Sequence, residues 1–222
     1  MRRLIVPLLF GLIGAAILIS LGNWQMRRLA WKSEVLARIE AQIAAPPGTL
    51  PAAPDPQADL YRPVTVSGTF TGQRLFVLAS QKDVGAGHRV IELFRTETGR
   101  AILVDRGFLP DGARDRIGPP ATATVTGNLN WPDEVDGFTP EPDLTRGLWF
   151  ARDLPAMAAH LGADPVLVVA RTATDPAIRP WPVDTAGIPN DHLEYAVTWY
   201  SLAAVWLGMT GLLLWRIRRR MD

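Results

Sequence analysis

Two long apolar runs near the ends of the chain set its overall plan. Leu4 to Gly22 has Ser20 as its only polar side chain, and Ala196 to Trp215 contains no charged residue. Twenty helical residues at about 1.5 Å each cover roughly the 30 Å hydrocarbon core of a bilayer, so both runs predict transmembrane helices. A cleaved signal peptide is the alternative for the first run. That run is, however, longer than a usual signal-peptide core, and no small-x-small cleavage site precedes Asn23.

Between the two runs the pattern changes, first to a helix and then to strands. Trp24 to Ala45 keeps apolar residues mostly three or four apart, which predicts a helix that continues out of the membrane. Pro46 to Asp59 has five prolines and no apolar period, so we expect an extended linker without core contacts. Alternating or β-branched runs then predict six strands. These are Tyr61–Phe70, Arg74–Gln81, Arg89–Thr96, Arg100–Phe108, Thr122–Leu129 and Pro165–Arg171.

Together these elements predict a membrane-anchored α+β protein. Two transmembrane helices, N- and C-terminal, flank an extracytoplasmic antiparallel β-sheet or partly closed barrel. Thr98 and Gly99 form a tight turn in that domain, and Ala151 to Leu161 a short helix. The expected segments are residues 1–23 (transmembrane helix 1), 24–59 (juxtamembrane helix and proline-rich linker), 60–185 (β-rich domain), 186–215 (boundary segment and transmembrane helix 2) and 216–222 (basic tail).

Charge predicts the orientation of the two spans. Two arginines precede the first span and four lie between Arg216 and Arg220, so six of the 23 basic residues flank the spans. The middle segment contains the remaining 17 basic residues and 21 acidic residues, which gives it a net charge of about −4. Both termini are therefore predicted to be cytoplasmic. Small residues four apart, Gly11 with Ala15 and Ala204 with Gly208, would let the spans approach each other or a partner.

The composition excludes several kinds of site. The chain has no cysteine, which rules out disulfides, thiolate metal sites, a CxxC redox pair and covalent c-type haem attachment. His88 and His160 lack zinc-site spacing, and Asp83 to Val90 ("DVGAGHRV") lacks the phosphate-loop pattern, which favours a hairpin connection. Asp105 and Arg106 are adjacent at the end of a strand and so on opposite faces, which favours an ion pair elsewhere or a bend over catalysis. No nucleophile and base pattern indicates an enzyme.

His192 stands at the membrane boundary before the second span. Helical spacings of three, four and seven place Tyr195, Ala196 and Trp199 on its face, and Ala196 is expected to leave a gap for a flat ligand between aromatic walls. Haem is such a ligand, with an axial imidazole and with cations at Arg27, Arg28 and Lys32 for its propionates. Asp191, Glu194 or a backbone carbonyl is near enough in sequence to orient the imidazole. An interfacial belt of aromatic residues is the alternative.

Four stretches of the chain resemble the signature blocks of the surfeit-locus family of cytochrome c oxidase assembly factors. They are "LGNWQMRRLAWK" (Leu21–Lys32), "YRPVTVSGTF" (Tyr61–Phe70), "GRAILVDRGFLP" (Gly99–Pro110) and "NDHLEYAVTWYSLA" (Asn190–Ala203). Their order and spacing span nearly the whole chain. The chain departs from the family pattern at Phe108, where a tryptophan is frequent, and at Leu93, where a proline is frequent.

The resemblance implies assembly rather than catalytic turnover. The bacterial members of the surfeit-locus family are associated with non-covalent binding of haem a through the histidine that matches His192. In this chain, His192 would then be the axial iron ligand. The implied partners are the catalytic subunit of cytochrome c oxidase, the haem a synthesis enzymes and the lipid bilayer, without nucleic acid. The implied location is the bacterial inner membrane, with a periplasmic central domain. The candidate haem-binding residues are His192, Tyr195, Trp199, Trp24, Arg27 and Arg28.

Two other functions stay open at this point. A haem-free scaffold would bind the nascent oxidase subunit or the haem-modifying enzymes through the spans and the sheet surface. A membrane-tethered hydrolase would need a nucleophile and base pair, which the sequence does not indicate.

Overall fold

The computed structural model describes residues 2–220, which form two units. The helical unit comprises the residues up to Arg38 and those from Thr185 onward, and the β unit comprises Ile39–Asp184. The helices of the described chain are α1 (Arg2–Ala44), α2 (Leu154–Leu161) and α3 (His192–Arg219). The strands are β1 (Gly48–Thr49), β2 (Pro63–Gln81), β3 (Gly85–Thr96), β4 (Ala101–Pro110), β5 (Thr122–Asn130), β6 (Leu148–Trp149) and β7 (Leu167–Ala170).

Helices α1 and α3 are long and apolar enough to cross a membrane. In their most apolar stretches only 11% and 6% of the residues are buried, unlike the core helices of soluble proteins. The 43 residues of α1 extend over roughly 65 Å, about twice the thickness of the hydrocarbon core. The first predicted span and the helix expected after it are thus one uninterrupted helix. Two such helices, near the two ends of the chain, indicate membrane anchoring.

The sheet of the β unit closes on itself. Strands β2 and β3, β3 and β4, β5 and β7, and β2 and β5 pair antiparallel, whereas β4 and β7 pair parallel. Because β2 pairs with β5 through its first half and with β3 through most of its length, the ring β2–β3–β4–β7–β5 is complete. The predicted membrane-anchored α+β fold is confirmed, and the barrel is of mixed rather than purely antiparallel pairing.

Strand β2 combines two of the predicted strands. Apart from Tyr61 and Arg62, the runs Tyr61–Phe70 and Arg74–Gln81 lie in one strand, whose pairing with β3 shifts register between Phe70 and Arg74. Gly72 lies in this irregularity with φ +83°, and its N–H donates to a Glu92 carboxylate oxygen at 2.9 Å. The predicted break between the two strands is therefore a β-bulge, which bends the strand without ending it.

The core of the β unit has two layers. Adjacent residues Leu93 and Phe94 on β3 are both buried, as are Ile102 and Leu103 on β4, because this part of the sheet is covered on both faces. One face points into the barrel, and the other packs against α2. Helix α2 begins at Leu154, three residues later than expected, because Asp153 caps it by accepting from the Ala156 N–H at 3.1 Å.

The proline-rich segment from Pro46 to Asp59 is extended, but it is not free of core contacts. Its residues Gly48 and Thr49 form β1, which pairs parallel with β2. Leu50 packs against the barrel core, and the Pro51 carbonyl accepts from Arg100 Nη1 at 2.7 Å. The expectation of a contact-free linker is wrong, because the extended backbone pairs with a strand edge instead of remaining in solvent.

Asp105 and Arg106 are both buried on β4 and make separate ion pairs, as predicted. Asp105 accepts from Arg89 Nε at 2.7 Å, and Arg106 pairs with Glu92. Arg106 also donates to the Thr174 carbonyl at 2.9 Å. Arg106 occupies a bulge in the β3–β4 ladder, so its side chain is released from the regular alternation of the strand. These contacts fix the chain that follows β7 to the barrel.

Candidate functional site

Helices α1 and α3 pack closely through small residues. A Cβ added at Gly11 would lie 2.2 Å from Thr210 Cγ2, so the two helices touch there as glycine alone allows. Ala15 is buried on the same stripe of α1. The predicted contact of Gly11 and Ala15 is therefore confirmed.

The second predicted pair of small residues does not pack the two spans together, and its contact with a partner stays a prediction. Ala204 and Gly208 are exposed, and nothing lies within 4 Å of a Cβ added at Gly208. Ala203 is buried instead, seven residues before Thr210 and therefore on the face of α3 that meets α1. Ala204 and Gly208 are four residues apart, but the face of α3 that contacts α1 contains Ala203, one residue before Ala204.

Hydrogen bonds between polar side chains join the first turns of α3 to the middle of α1. His192 Nδ1 lies 2.8 Å from the Gln25 carboxamide oxygen, and Tyr200 donates its hydroxyl to Asn23 Oδ1 at 2.7 Å. Gln25 is 8% exposed, whereas His192 is half-buried as the first residue of α3. The imidazole is thus held between the start of α3 and the middle of α1, with part of its ring accessible.

The hydrogen bond to Gln25 fixes the tautomer of His192. A carboxamide oxygen can only accept, so Nδ1 carries the proton and donates it. The other ring nitrogen, Nε2, then keeps a lone pair that can bind a metal ion. The orienting partner is Gln25 on α1, and not the nearby Asp191, Glu194 or a backbone carbonyl of the same segment.

Ala196 does not provide the expected gap. It is 1% exposed, and it lies seven residues before Ala203 on the face of α3 that packs against α1. A flat ligand therefore cannot lie over Ala196. The accessible side of α3 near His192 carries Tyr195, which is 56% exposed, and the half-buried Trp199.

The candidate residues of α1 lie level with the imidazole. Trp24, Arg27 and Arg28 are within one turn of Gln25, and all three are exposed. The Arg28 guanidinium lies 4.6 Å from the centre of the Trp31 ring, in a cation–π contact. The structure thus brings aromatic and cationic side chains to the same end of the helix pair as His192.

Gln25 is the residue that sequence reasoning missed. It follows Gly11 by fourteen residues and Leu18 by seven, so it continues the buried stripe of α1. A polar residue on an otherwise small and apolar stripe requires a hydrogen-bond partner, and this requirement was a usable signal. The partner itself could not be identified, because His192 is 167 positions away in sequence.

The other two histidines lie in the β unit. His88 is on β3 beside Arg114, and His160 on α2 is in edge contact with the Trp149 ring. Within residues 2–220, no group of three or more histidine or acidic side chains is arranged to hold a metal ion. The sequence Asp83 to Val90 forms the turn and the start of β3 in the β2–β3 hairpin, as predicted.

Comparison with known proteins identifies the family. Residues 12–204, which include both Gln25 and His192, match the model of the SURF1 family. The chain belongs to the SURF1 family. It is 31% identical over 211 residues to Surfeit locus protein 1 of Rattus norvegicus, covering 83% of this chain and 68% of the rat protein. The human protein of that name is also 31% identical, over 212 residues, with 83% and 70% covered.

A SURF1-like protein gives a similar match. The SURF1-like protein of Monosiga brevicollis is 33% identical over 214 residues, which cover 86% of this chain and 80% of that protein. The SURF1 family is a family of cytochrome oxidase assembly factors, so the resemblance seen in the four sequence blocks is confirmed.

Proposed function

We propose that this SURF1-family chain is a bacterial inner-membrane assembly factor that holds haem a through His192 and assists its insertion into the catalytic subunit of cytochrome c oxidase. The hydrogen bond of 2.8 Å between His192 Nδ1 and Gln25 carries the proposal. It orients the ring and leaves Nε2 outside this bond, so that this nitrogen could bind iron, which is the usual arrangement of metal-ligating histidines.

The residues around His192 fit a haem with one axial imidazole. Tyr195 and Trp199 supply apolar surface beside the ligand, and Arg27 and Arg28 supply positive charge near it for propionates. Because Ala196 is buried, the macrocycle would lie along the accessible flank of α3 and not between the helices. When bound, haem a would supply the redox cofactor of the oxidase. The role of this chain is to bind and orient it without turnover.

The position of His192 is compatible with the transfer of haem to a partner protein. His192 is the first residue of a membrane-spanning helix, where an apolar macrocycle would have access to the bilayer and its charged groups to water. The ring is only half-buried, so a partner could approach it without unfolding the helix pair. We propose that the partners are the nascent oxidase subunit and the haem a synthesis enzymes.

A haem-free scaffold is the second candidate, and the same hydrogen bond favours it. A histidine that donates Nδ1–H to Gln25 holds the start of α3 against α1 whether or not Nε2 binds iron. In that case the helix pair would present a surface to the oxidase subunit, and His192 would have a structural role.

The visible spectrum of the full chain, purified in detergent from cells that make haem a, separates the two functions. We expect a Soret band in roughly one-to-one amount, lost in His192→Ala and retained with a shifted spectrum in His192→Met. Gln25→Ala should weaken haem binding about tenfold, because the orienting partner of the ligand is removed. Trp199→Ala should weaken binding and keep the axial ligation.

His160→Ala is the matched control, since this histidine lies in the β unit on α2. It should leave the spectrum unchanged. A His192→Ala protein that purifies with wild-type haem and an unaltered spectrum would contradict haem binding at His192 and favour the scaffold.

A further inference from the structure

An apolar groove runs along one flank of the α1–α3 pair. Its volume is about 450 Å³. It is lined by Gly14, Ile17 and Leu18 from α1 and by Leu202, Val205 and Met209 from α3, with Trp206 between the two helices. No charged side chain lines it.

The floor of the groove is fixed by Trp206. Its indole N–H donates to the Gly11 carbonyl at 2.9 Å, so the polar atom of the ring is already satisfied and turned away from a ligand. A Cβ added at Gly14 would lie 2.5 Å from the same indole, so the missing side chain at Gly14 leaves room for the ring. The groove therefore offers a rigid and apolar surface.

The groove is aligned with the proposed haem site. Tyr195, Trp199, Leu202, Trp206 and Met209 follow one another at spacings of four and three, which places them on one flank of α3. The groove begins at Leu202, ten residues beyond His192 and thus roughly 15 Å along the helix axis. A ligand that extends from the iron site along this flank would enter it.

Resting on the proposed function, we propose that the groove receives the isoprenoid tail of haem a and makes the site selective for haem a over haem b. An imidazole and nearby arginines meet groups that both haems share, namely the iron and the propionates. The farnesyl chain is long, flexible and apolar, and it is the part of haem a that reaches far from the iron. A surface of matching chemistry at a distance from His192 would distinguish the two haems through this chain.

Discrimination would come from packing contacts. An apolar chain gains little by leaving lipid or detergent for a protein surface, so the preference depends on how closely the groove fits the chain. We therefore expect an effect of about tenfold in affinity. The groove should add to the binding of haem a and leave that of haem b unaffected.

The test is a titration of the full chain, purified without haem in detergent, with haem a and with haem b, followed by the Soret absorbance. The wild-type protein should bind haem a about tenfold more tightly. Leu202→Trp fills the groove and should remove this preference while its affinity for haem b stays unchanged. Leu207→Trp is the matched control, because Leu207 is similarly exposed on α3 and does not line the groove.

A second pair of variants tests the groove from α1. Ile17→Trp should reduce the preference for haem a, and Ile13→Trp, exposed outside the groove, should keep it. Circular dichroism and size-exclusion chromatography report whether each variant is folded.

Equal affinity of the wild-type protein for the two haems would overturn the inference. If His192→Ala then binds neither haem a nor haem b, the proposed function still stands without the groove. If His192→Ala binds both haems as the wild type does, the haem site itself is wrong. Identical preferences in Leu202→Trp and Leu207→Trp would also reject the groove as the selective element.

Discussion

A single imidazole couples the stability of the β unit to pH. His88 is 9% exposed, with Nε2 3.1 Å from Arg114 Nη2 and Nδ1 3.3 Å from Asp111 Oδ1. Burial and the Arg114 charge hold the pKa of His88 below its usual value, against a smaller opposing effect of Asp111. The unfolded chain therefore binds more protons than the folded one between the lowered pKa and about 6.5.

The stability of the β unit should accordingly decrease as the pH falls from about 7.5 to 5.5. The contribution of His88 is fully present above about pH 6.5 and is lost as the pH falls toward the lowered pKa. Thermal unfolding of the full chain in detergent, followed by circular dichroism, measures the effect. His88→Gln, which cannot become charged, should show a weaker pH dependence. His160→Gln should show the wild-type dependence, and an unchanged dependence in His88→Gln would refute the coupling.

At the scale of the elements, the close packing of α1 on α3 depends on one glycine. Gly11→Leu would place side-chain atoms where Thr210 now lies, and overpacking of this kind costs about 1–3 kcal/mol. Gly208→Leu is the matched control, because open space surrounds a side chain at that position of α3. We expect a lower unfolding temperature for Gly11→Leu alone, measured by tryptophan fluorescence in detergent. Equal changes in the two variants would show that the helices do not pack at Gly11.

Long strands could be predicted from the sequence, whereas strands of two residues could not. The alternating runs of β3, β4 and β5 were found to within a few residues, because long strands repeat the two-residue period several times. Strands β1 and β6 have two residues each, which leaves no period to detect. Their pairing is decided by neighbours distant in sequence, as is the bulge that joins the two predicted halves of β2.

The same limit applied to the candidate site. His192 and its aromatic neighbours could be proposed from a helical spacing within one segment. The contact of His192 with Gln25 and the burial of Ala196 could not be predicted, because both depend on how α1 lies against α3. The sequence thus predicted the candidate ligand but misplaced the surface beside it.

At the scale of the whole molecule, the two spans belong to one helix pair, and their flanking charges predict a single orientation. Arg2 and Arg3 precede the apolar run that begins at Leu4, and Arg216, Arg218 and Arg219 lie in the last turn of α3, so both ends should stay in the cytoplasm. The β unit joins the other ends of the spans and should therefore be periplasmic. His192, at the start of α3, would then lie at the periplasmic side of the membrane.

Reporter fusions in a bacterial host test this orientation. Gly112 is an exposed turn residue with φ +72° and open space around it, so an insertion there should leave the barrel intact. A phosphatase that is active only outside the cytoplasm should be active when inserted at Gly112 and inactive when fused after Asp222. A fluorescent protein that folds only in the cytoplasm should give the opposite result at the same two sites. If the phosphatase is active after Asp222 and inactive at Gly112, the charge argument is wrong, and His192 would face the cytoplasm, where delivery of haem would have to occur.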